Sequence, residues 1–356
     1  MMKEIIAKLA RAEDLSEQEA AVAMTEIMEG QATEAQIAAF LMGLRLKGET
    51  TAEITGCARV MREKVLRIEI NKEVIEFDRD DINFDRETII DTCGTGGDGT
   101  NTFNVSTATA LVVAGGGCLV AKHGNRSVSS RCGSADVVRS LGVNIDITPE
   151  RVKSCVEQVG LGFFYAPLYH SAMKYALPVR TQMGIRTIFN LLGPLTNPAG
   201  ANVQVLGVYD VNLTEKIASV LLNLGSRSAL VVYGEGSFDE VSIVGKTFVS
   251  QVKDGHVINY QVQPEDFGMR RASLLDIRGG NAEENAGIIL SILKGKEGAP
   301  RDMVVLNAGA AFMAAGRADD WKKGVAYAVE VIESGRALAK LKSLVEFTNS
   351  FETEKK

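Results

Sequence analysis

An α/β protein with a small N-terminal helical domain and a larger domain on a central, mostly parallel sheet is the fold class this sequence predicts. Three observations carry the prediction. Residues 3–67 show helical periodicity and nothing else. Beyond residue 86, short apolar strands alternate with helices, the pattern of βα units. The first of those strands runs straight into a glycine turn followed by a helix start, Asn104-Val105-Ser106-Thr107. A chain of 356 residues has room for both units.

Three capping boxes punctuate the helical part: Ser16 with Glu19, Thr33 with Gln36, and Thr50 with Glu53. Each puts a hydroxyl at the N-cap and a carboxylate or amide three residues on, which satisfies two backbone N–H groups that the helix leaves open. Between them Ile37, Phe40, Leu41 and Leu44 recur at helical spacing, and Gly30 and Gly48 fall where helices should stop. We expect a helical domain over residues 1–70. The charge-rich stretch that starts at residue 69 reads as a linker over 71–86, with a short extended segment, and residues 87–356 as the α/β domain.

Ile89 and Ile90 open the first strand, and a helix over residues 107–114 stops at Gly115-Gly116-Gly117. Leu119-Val120-Ala121 is the next strand, and Ser134 is the expected cap of the helix after it. Thr148-Pro149-Glu150 opens another helix that leads to the strand Gly162-Phe163-Phe164-Tyr165. Residues 203–208 and 229–233 are further strands. Residues 170–198 break the alternation: a helix over 171–177 should end or kink at Pro178, and a second should span 184–192 and close at Gly193-Pro194. This excursion is expected to pack on the N-terminal helices as a hinge region. Ala- and Gly-rich helices follow Val304.

Composition narrows the function. A net charge of −6 excludes a general nucleic-acid surface, so any phosphate binding must be local. The five cysteines, Cys57, Cys93, Cys118, Cys132 and Cys155, form no CxxC pair and no zinc spacing; they read as reduced, buried thiols of a cytoplasmic protein. The N-terminus has an early acidic residue and no long apolar core, so it is not a signal peptide, and no segment has the length of a membrane span.

The chemistry concentrates in a few places. In Asp91-Thr92-Cys93-Gly94-Thr95-Gly96-Gly97-Asp98, three glycines fall within four positions at a strand end. Glycines let N–H groups turn inward as an anion nest, and the helix start behind them adds its dipole. Asn104, Ser106 and Thr107 exceed what one cap needs, and suit a pyrophosphate with a metal bound through it. Lys122-His123-Gly124-Asn125-Arg126-Ser127-Val128-Ser129-Ser130-Arg131 gathers cations, hydroxyls and an amide in an otherwise acidic chain. Lys supplies a point charge and Arg a planar fork for phosphate oxygens. One of Arg180 and Arg186 could pair with a substrate carboxylate; a surface salt bridge is the plainer role for either. Asp239-Glu240 could bind Mg²⁺ shared with substrate phosphates, although acidic pairs are common on surfaces.

Taken in order, Gly94-Thr95-Gly96-Gly97-Asp98, Asn104-Val105-Ser106-Thr107, Lys122-His123-Gly124-Asn125-Arg126, Gly133-Ser134-Ala135-Asp136 and Gly184-Ile185-Arg186-Thr187-Ile188-Phe189-Asn190 closely resemble the anthranilate phosphoribosyltransferase family of tryptophan biosynthesis, within the nucleoside phosphorylase-like phosphoribosyltransferases. The likeness continues through Asn190-Leu191-Leu192-Gly193-Pro194-Leu195-Thr196-Asn197-Pro198, Asp276-Ile277-Arg278-Gly279-Gly280 and Glu284-Asn285-Ala286, nearly the whole chain. The charged stretch at 69–86 is longer than the family leads one to expect.

The resemblance implies transfer of phosphoribose from 5-phosphoribosyl 1-pyrophosphate (PRPP) to the amine of anthranilate, with release of pyrophosphate. It implies that PRPP is held by Gly94, Gly97, Asp98, Thr102, Asn104, Val105, Ser106, Thr107, Lys122, His123, Gly124, Asn125, Arg126, Ser127, Val128, Ser129, Ser130 and Ser134. Gly94, Asn125 and Arg180 would hold anthranilate, and Ser106, Asp239 and Glu240 would hold Mg²⁺, two ions in all. Gly94 would give room between the two substrates as well as backbone freedom. No strong general base is implied; His123 could assist weakly. A homodimer through the helical domain is the implied assembly, with no nucleic acid and no membrane as partner. Arg180 and the paired Asp239-Glu240 oppose a pyrimidine nucleoside phosphorylase of the same architecture.

Overall fold

The computed structural model describes residues 1–70, 88–96, 99–126 and 132–351. The expected linker at 71–86 and the site candidates Gly97, Asp98, Ser127, Val128, Ser129 and Ser130 lie outside the described residues.

Four helices open the chain: α1 Met2–Ala10, α2 Glu17–Met28, α3 Glu34–Lys47 and α4 Thr51–Lys64. All three expected capping boxes form, each with the reciprocal pair of bonds, and Gly48 caps α3 with φ +87°. After α4 the chain runs along the α/β part, where Leu66 donates its N–H to Tyr169 and Ile68 to Pro198.

The α/β part reads β1 Ile89–Gly94, α5 Val105–Gly115, β2 Leu119–Gly124, α6 Ser134–Ser140, α7 Pro149–Ser154, β3 Leu161–Tyr165, α8 Leu177–Met183, α9 Ile188–Leu192, β4 Val203–Gly207, α10 Leu213–Asn223, β5 Ser228–Gly234, β6 Thr247–Lys253 and β7 His256–Val262. It closes with α11 Ala282–Leu293, α12 Ala299–Ala314, α13 Trp321–Glu333 and α14 Arg336–Asn349. The seven strands lie in the order β3-β2-β1-β4-β5-β6-β7. The first five are parallel, and their near-continuous apolar runs reflect burial on both faces. The antiparallel β6 and β7 were not expected from the sequence. Their signal is Asp254-Gly255, both at positive φ, between alternating residues, which is the turn a two-residue hairpin demands.

Two cores flank the sheet. One packs Val120, Val203 and Leu230 against α5 and α11–α14. The other runs from Ile27, Phe40 and Ile54 of the bundle through Val179, Phe189 and Leu192 of the excursion to Leu206 and Val231 of the sheet. Inside the excursion two expectations fail. Pro178 does not end a helix but opens one: residues Ser171–Tyr175 form a 3₁₀ turn, and α8 begins at Leu177 with Pro in its first turn, where its missing N–H costs nothing. Gly184 is not a helix start either; it ends α8 in the left-handed region at φ +62°, and α9 is confined to Ile188–Leu192. Two starts also move. The helix expected at 107 begins at Val105, and Gly133, not Ser134, is the N-cap of α6, held by the Asp136 carboxylate at 3.0 Å.

Candidate functional site

The strand order reverses between β1 and β4, and in open α/β sheets the ligand crevice lies outside the carboxyl ends of the strands at such a point. There the last residues of the two strands, Gly94 and Gly207, are paired in register. Both are glycine because the chain after β5 folds back onto them. A tight turn at residues 234–238, with Ser237 at φ +77°, returns the chain so that Asp239 lies against both strand ends. A Cβ on Gly94 would fall 2.3 Å from Asp239 Oδ2, and one on Gly207 would fall 1.5 Å from the Asp239 carbonyl oxygen. This corrects one part of the expectation for Gly94, its need of backbone freedom. Its φ is not positive, and the space it leaves is taken by the Asp239 carboxylate. That carboxylate accepts the Gly96 N–H at 2.7 Å, which ties the acidic pair to the glycine turn. The segment beyond is clamped by Asn307 of α12, which accepts from the Val241 N–H and donates to its carbonyl, both at 3.0 Å.

Lys122 of β2 is the centre of the charge arrangement. Its ammonium is buried and donates to the Thr92 carbonyl at 2.7 Å and to Ser106 Oγ at 3.3 Å. Burial pushes Lys122 below its usual value; Asp91, Glu240 and Asp239 are among the negative groups that oppose the shift. Asp91 is wholly buried, and burial pushes its carboxyl up against the pull of Lys122. It accepts the His123 N–H at 3.3 Å and the Asn197 Nδ2 at 2.9 Å. The first turn of α5 is therefore fixed to β1 and β2 by side chains: Thr92 Oγ1 also donates to the Ser106 carbonyl at 2.9 Å. Of the predicted residues on this turn, Ser106 faces the charged group. Val105 and Thr107 are core residues, so only their backbone is available to a ligand; Thr107 lines a small apolar pocket with Leu111, Val138 and Phe163. Thr102 pairs with Arg278 in an antiparallel bridge, and Asn104 makes no capping bond.

The described part of the second loop leaves the end of β2 at Gly124. Asn125 and Arg126 are exposed, and the Arg126 guanidinium lies 6.0 Å from the Tyr165 ring centre. Ser134 holds the loop root: its Oγ accepts the Asn125 N–H at 3.2 Å. His123 points to the other side, with its Nε2 3.2 Å from that of His170. Burial, with the neighbouring imidazole next in weight, pushes His123 down to about 3, and burial pushes His170 down to about 4. Both rings are neutral near pH 7. Both bind protons more readily when unfolded, at about 6.5, so they lower stability as pH falls below that value. We expect a melting temperature flat between pH 8 and 7 that drops as pH goes from about 6.5 towards 4. The drop should be shallower in His123→Asn with His170→Asn; an equal drop in both proteins would refute this.

Arg180, on α8, is half-buried over the Phe189 ring at 5.0 Å and pairs with no carboxylate among the described residues. Arg186 is exposed, stacked 4.3 Å from the Tyr209 ring centre. Burial pushes Arg180 below its usual value, an imbalance that a substrate anion would relieve.

Asp91, Asn197, His170, Gly207 and Asn307 were given no role from the sequence. Only Asp91, an acidic residue within an apolar strand just before the glycine turn, carried a readable signal. Among the described residues no group of three or more His, Cys, Asp or Glu could enclose an ion.

Comparison with known proteins sorts the chain in the same way. The model of the glycosyl transferase family α/β domain matches residues 86–338, and that of the family's helical bundle domain matches residues 3–65. The anthranilate phosphoribosyltransferase of Geotalea uraniireducens (strain Rf4) is 54% identical over 349 residues, 98% of this chain and 100% of that protein. The crystal structure of anthranilate phosphoribosyltransferase from Thermus thermophilus superposes with a TM-score of 0.88 at 42% identity, covering 97% of this chain and 99% of that one. The Saccharomyces cerevisiae enzyme in complex with PRPP and Mg gives a TM-score of 0.82 at 27% identity, with 98% of each chain covered.

Proposed function

This chain belongs to the anthranilate phosphoribosyltransferase family, and from that premise we propose that it transfers phosphoribose from PRPP to the amine of anthranilate at the crevice outside β1, β2 and β4. The C1–O bond to pyrophosphate breaks, a C1–N bond forms, and the amine gives up a proton. The observation that carries the reading is the convergence of Lys122, Ser106 and the Asp239-Glu240 pair at the topological switch point, beside the glycine turn.

The residue assignments are those the family resemblance implies, and the chemistry each group can supply agrees with them. Lys122, Ser106 and the N–H groups at the start of α5 face the pyrophosphate, which gains charge as it leaves. Asn125 and Arg126, exposed just beyond the end of β2, would add an amide and a guanidinium to its binding. Ser106, Asp239 and Glu240 would hold Mg²⁺, and we assign two ions; bound there, the metal neutralises leaving-group oxygens. Arg180 would pair with the anthranilate carboxylate, Gly94 and Asn125 bordering that side. The aryl amine is already a neutral nucleophile, so positioning rather than a strong base does most of the work. His123 is neutral and a weak base, able to assist only slightly.

We divide the chain into a helical domain over 1–70 joined by about 170–198, a linker over 71–86 and the transferase domain over 87–356. We place the homodimer contact on the helical domain, where Leu46 of α3 and Leu177 of the adjoining α8 are exposed apolar side chains. Five buried cysteines, none in a disulfide, suit a reducing, cytoplasmic setting. No helix among the described residues is long and apolar enough to cross a membrane.

Mixing the protein with PRPP, Mg²⁺ and anthranilate is expected to extinguish anthranilate fluorescence; a steady signal would overturn the function. In the same assay Arg180→Ala should raise the KM for anthranilate roughly 10–100-fold and leave that for PRPP within about twofold, the loss of one charged hydrogen-bonded pair. Equal increases for both substrates would remove Arg180 from the carboxylate site.

A further inference from the structure

Two asparagines far apart in sequence share one hydrogen-bonded chain that links the start of α5 to the residue after the basic loop. Asn285 of α11 is 2% exposed. Its Oδ1 accepts the Gly280 N–H at 2.7 Å, and its Nδ2 donates to Asn104 Oδ1 at 2.9 Å, across 181 positions. Asn104 Nδ2 in turn donates to the Cys132 carbonyl at 3.4 Å. Three segments meet there. Asn104 is the residue before α5, whose first turn carries Ser106. Gly280 closes the turn Arg278-Gly279-Gly280, which pairs with Thr102 and passes so close that a Cβ on Gly279 would stand 2.6 Å from the Thr102 carbonyl. Cys132 follows the second, basic loop.

The side chain at 285 must accept at one end and donate at the other, which an amide does and a carboxylate cannot. The backbone N–H of Gly280 cannot reverse its polarity. It therefore orients the Asn285 amide, which orients the Asn104 amide, which leaves a donor for the Cys132 carbonyl. Helix capping does not account for the arrangement, since the Asn104 side chain makes no cap bond.

We propose that Asn285 is a positioning residue for PRPP: it stays off the substrate and sets the Asn104 amide, and with it the spacing between the start of α5 and the root of the basic loop. The proposal rests on the reading that Asn104 lies in the PRPP site. Asn285→Asp preserves shape and the bond from Gly280, but it opposes an acceptor to Asn104 Oδ1. The expected result is a KM for PRPP raised roughly tenfold, with the KM for anthranilate within about twofold and the thermal midpoint within a few degrees. A double-variant cycle identifies the route. Asn104→Ala alone should raise the PRPP KM, and adding Asn285→Asp should raise it no further. Should Asn285→Asp fail to fold, Asn285→Ala, which can neither accept nor donate, enters the same cycle. If Asn104→Ala leaves the PRPP KM unchanged, the loop reading itself fails. If Asn104→Ala weakens PRPP but a folded Asn285 variant does not, or if the two effects multiply, the positioning role is overturned and the loop reading stands.

Discussion

Turnover is expected to fall by roughly 10²–10³-fold when Asp239→Asn and Glu240→Gln are combined, with a several-fold higher Mg²⁺ concentration needed for half-maximal rate. The substitutions remove two negative charges and keep both shapes. Asn at 239 can still accept the Gly96 N–H, so the glycine turn should hold its form and the thermal midpoint should move little. Asp239 cannot simply swing away, because its backbone is wedged against Gly207 and its side chain fills the space beside Gly94. The Asp239 carboxylate is thus preorganised at the strand ends before any ligand arrives. An unchanged Mg²⁺ titration in the folded double variant would take the pair out of the metal site.

Lys122→Met should cost about 3 kcal/mol of stability as well as at least 10²-fold in kcat/KM for PRPP. Methionine fills the space but leaves wholly buried Asp91 without the cation that most opposes its desolvation, and leaves the Thr92 carbonyl without its donor. Removing both charges should be gentler. Asp91→Asn with Lys122→Met is expected to recover part of the stability and none of the activity, because the pyrophosphate still lacks its ammonium. Urea unfolding and initial rates on the same three proteins test both halves. Wild-type stability in Lys122→Met would show that Asp91 does not depend on it, and wild-type PRPP kinetics would exclude the catalytic role.

The parts of this protein that are legible in its sequence are those with a short-range cause. Ser16, Thr33 and Thr50 sit three residues from their capping partners, so each helix start follows from the local chain. Strands β1, β2, β4 and β5 are apolar runs between turn residues, and their alternation with helices implies a parallel sheet. The glycine turn, the Asn104 to Thr107 start and the basic loop each stand out because they depart from the surrounding composition. Pro178 and Gly184 misled for a related reason. Each residue is compatible with two positions, Pro with a helix end or its first turn and Gly with a linker or a left-handed cap, and neighbouring residues do not decide between them.

By itself, then, the sequence determined the class of fold, the places where helices begin, and the identities of the charged and small residues that a phosphate site would need. Only the tertiary structure decided which of them meet. It set Asp239 against Gly94 and Gly207 and made Asp91 the countercharge of Lys122. It also joined His123 to His170 and bound Asn104 to Asn285 across 181 positions. The physical reason is range. Capping and periodicity act within a turn or two of chain. The cost of a buried charge or an unmet hydrogen bond, by contrast, is settled by whatever the packed sheet brings alongside, however distant in sequence.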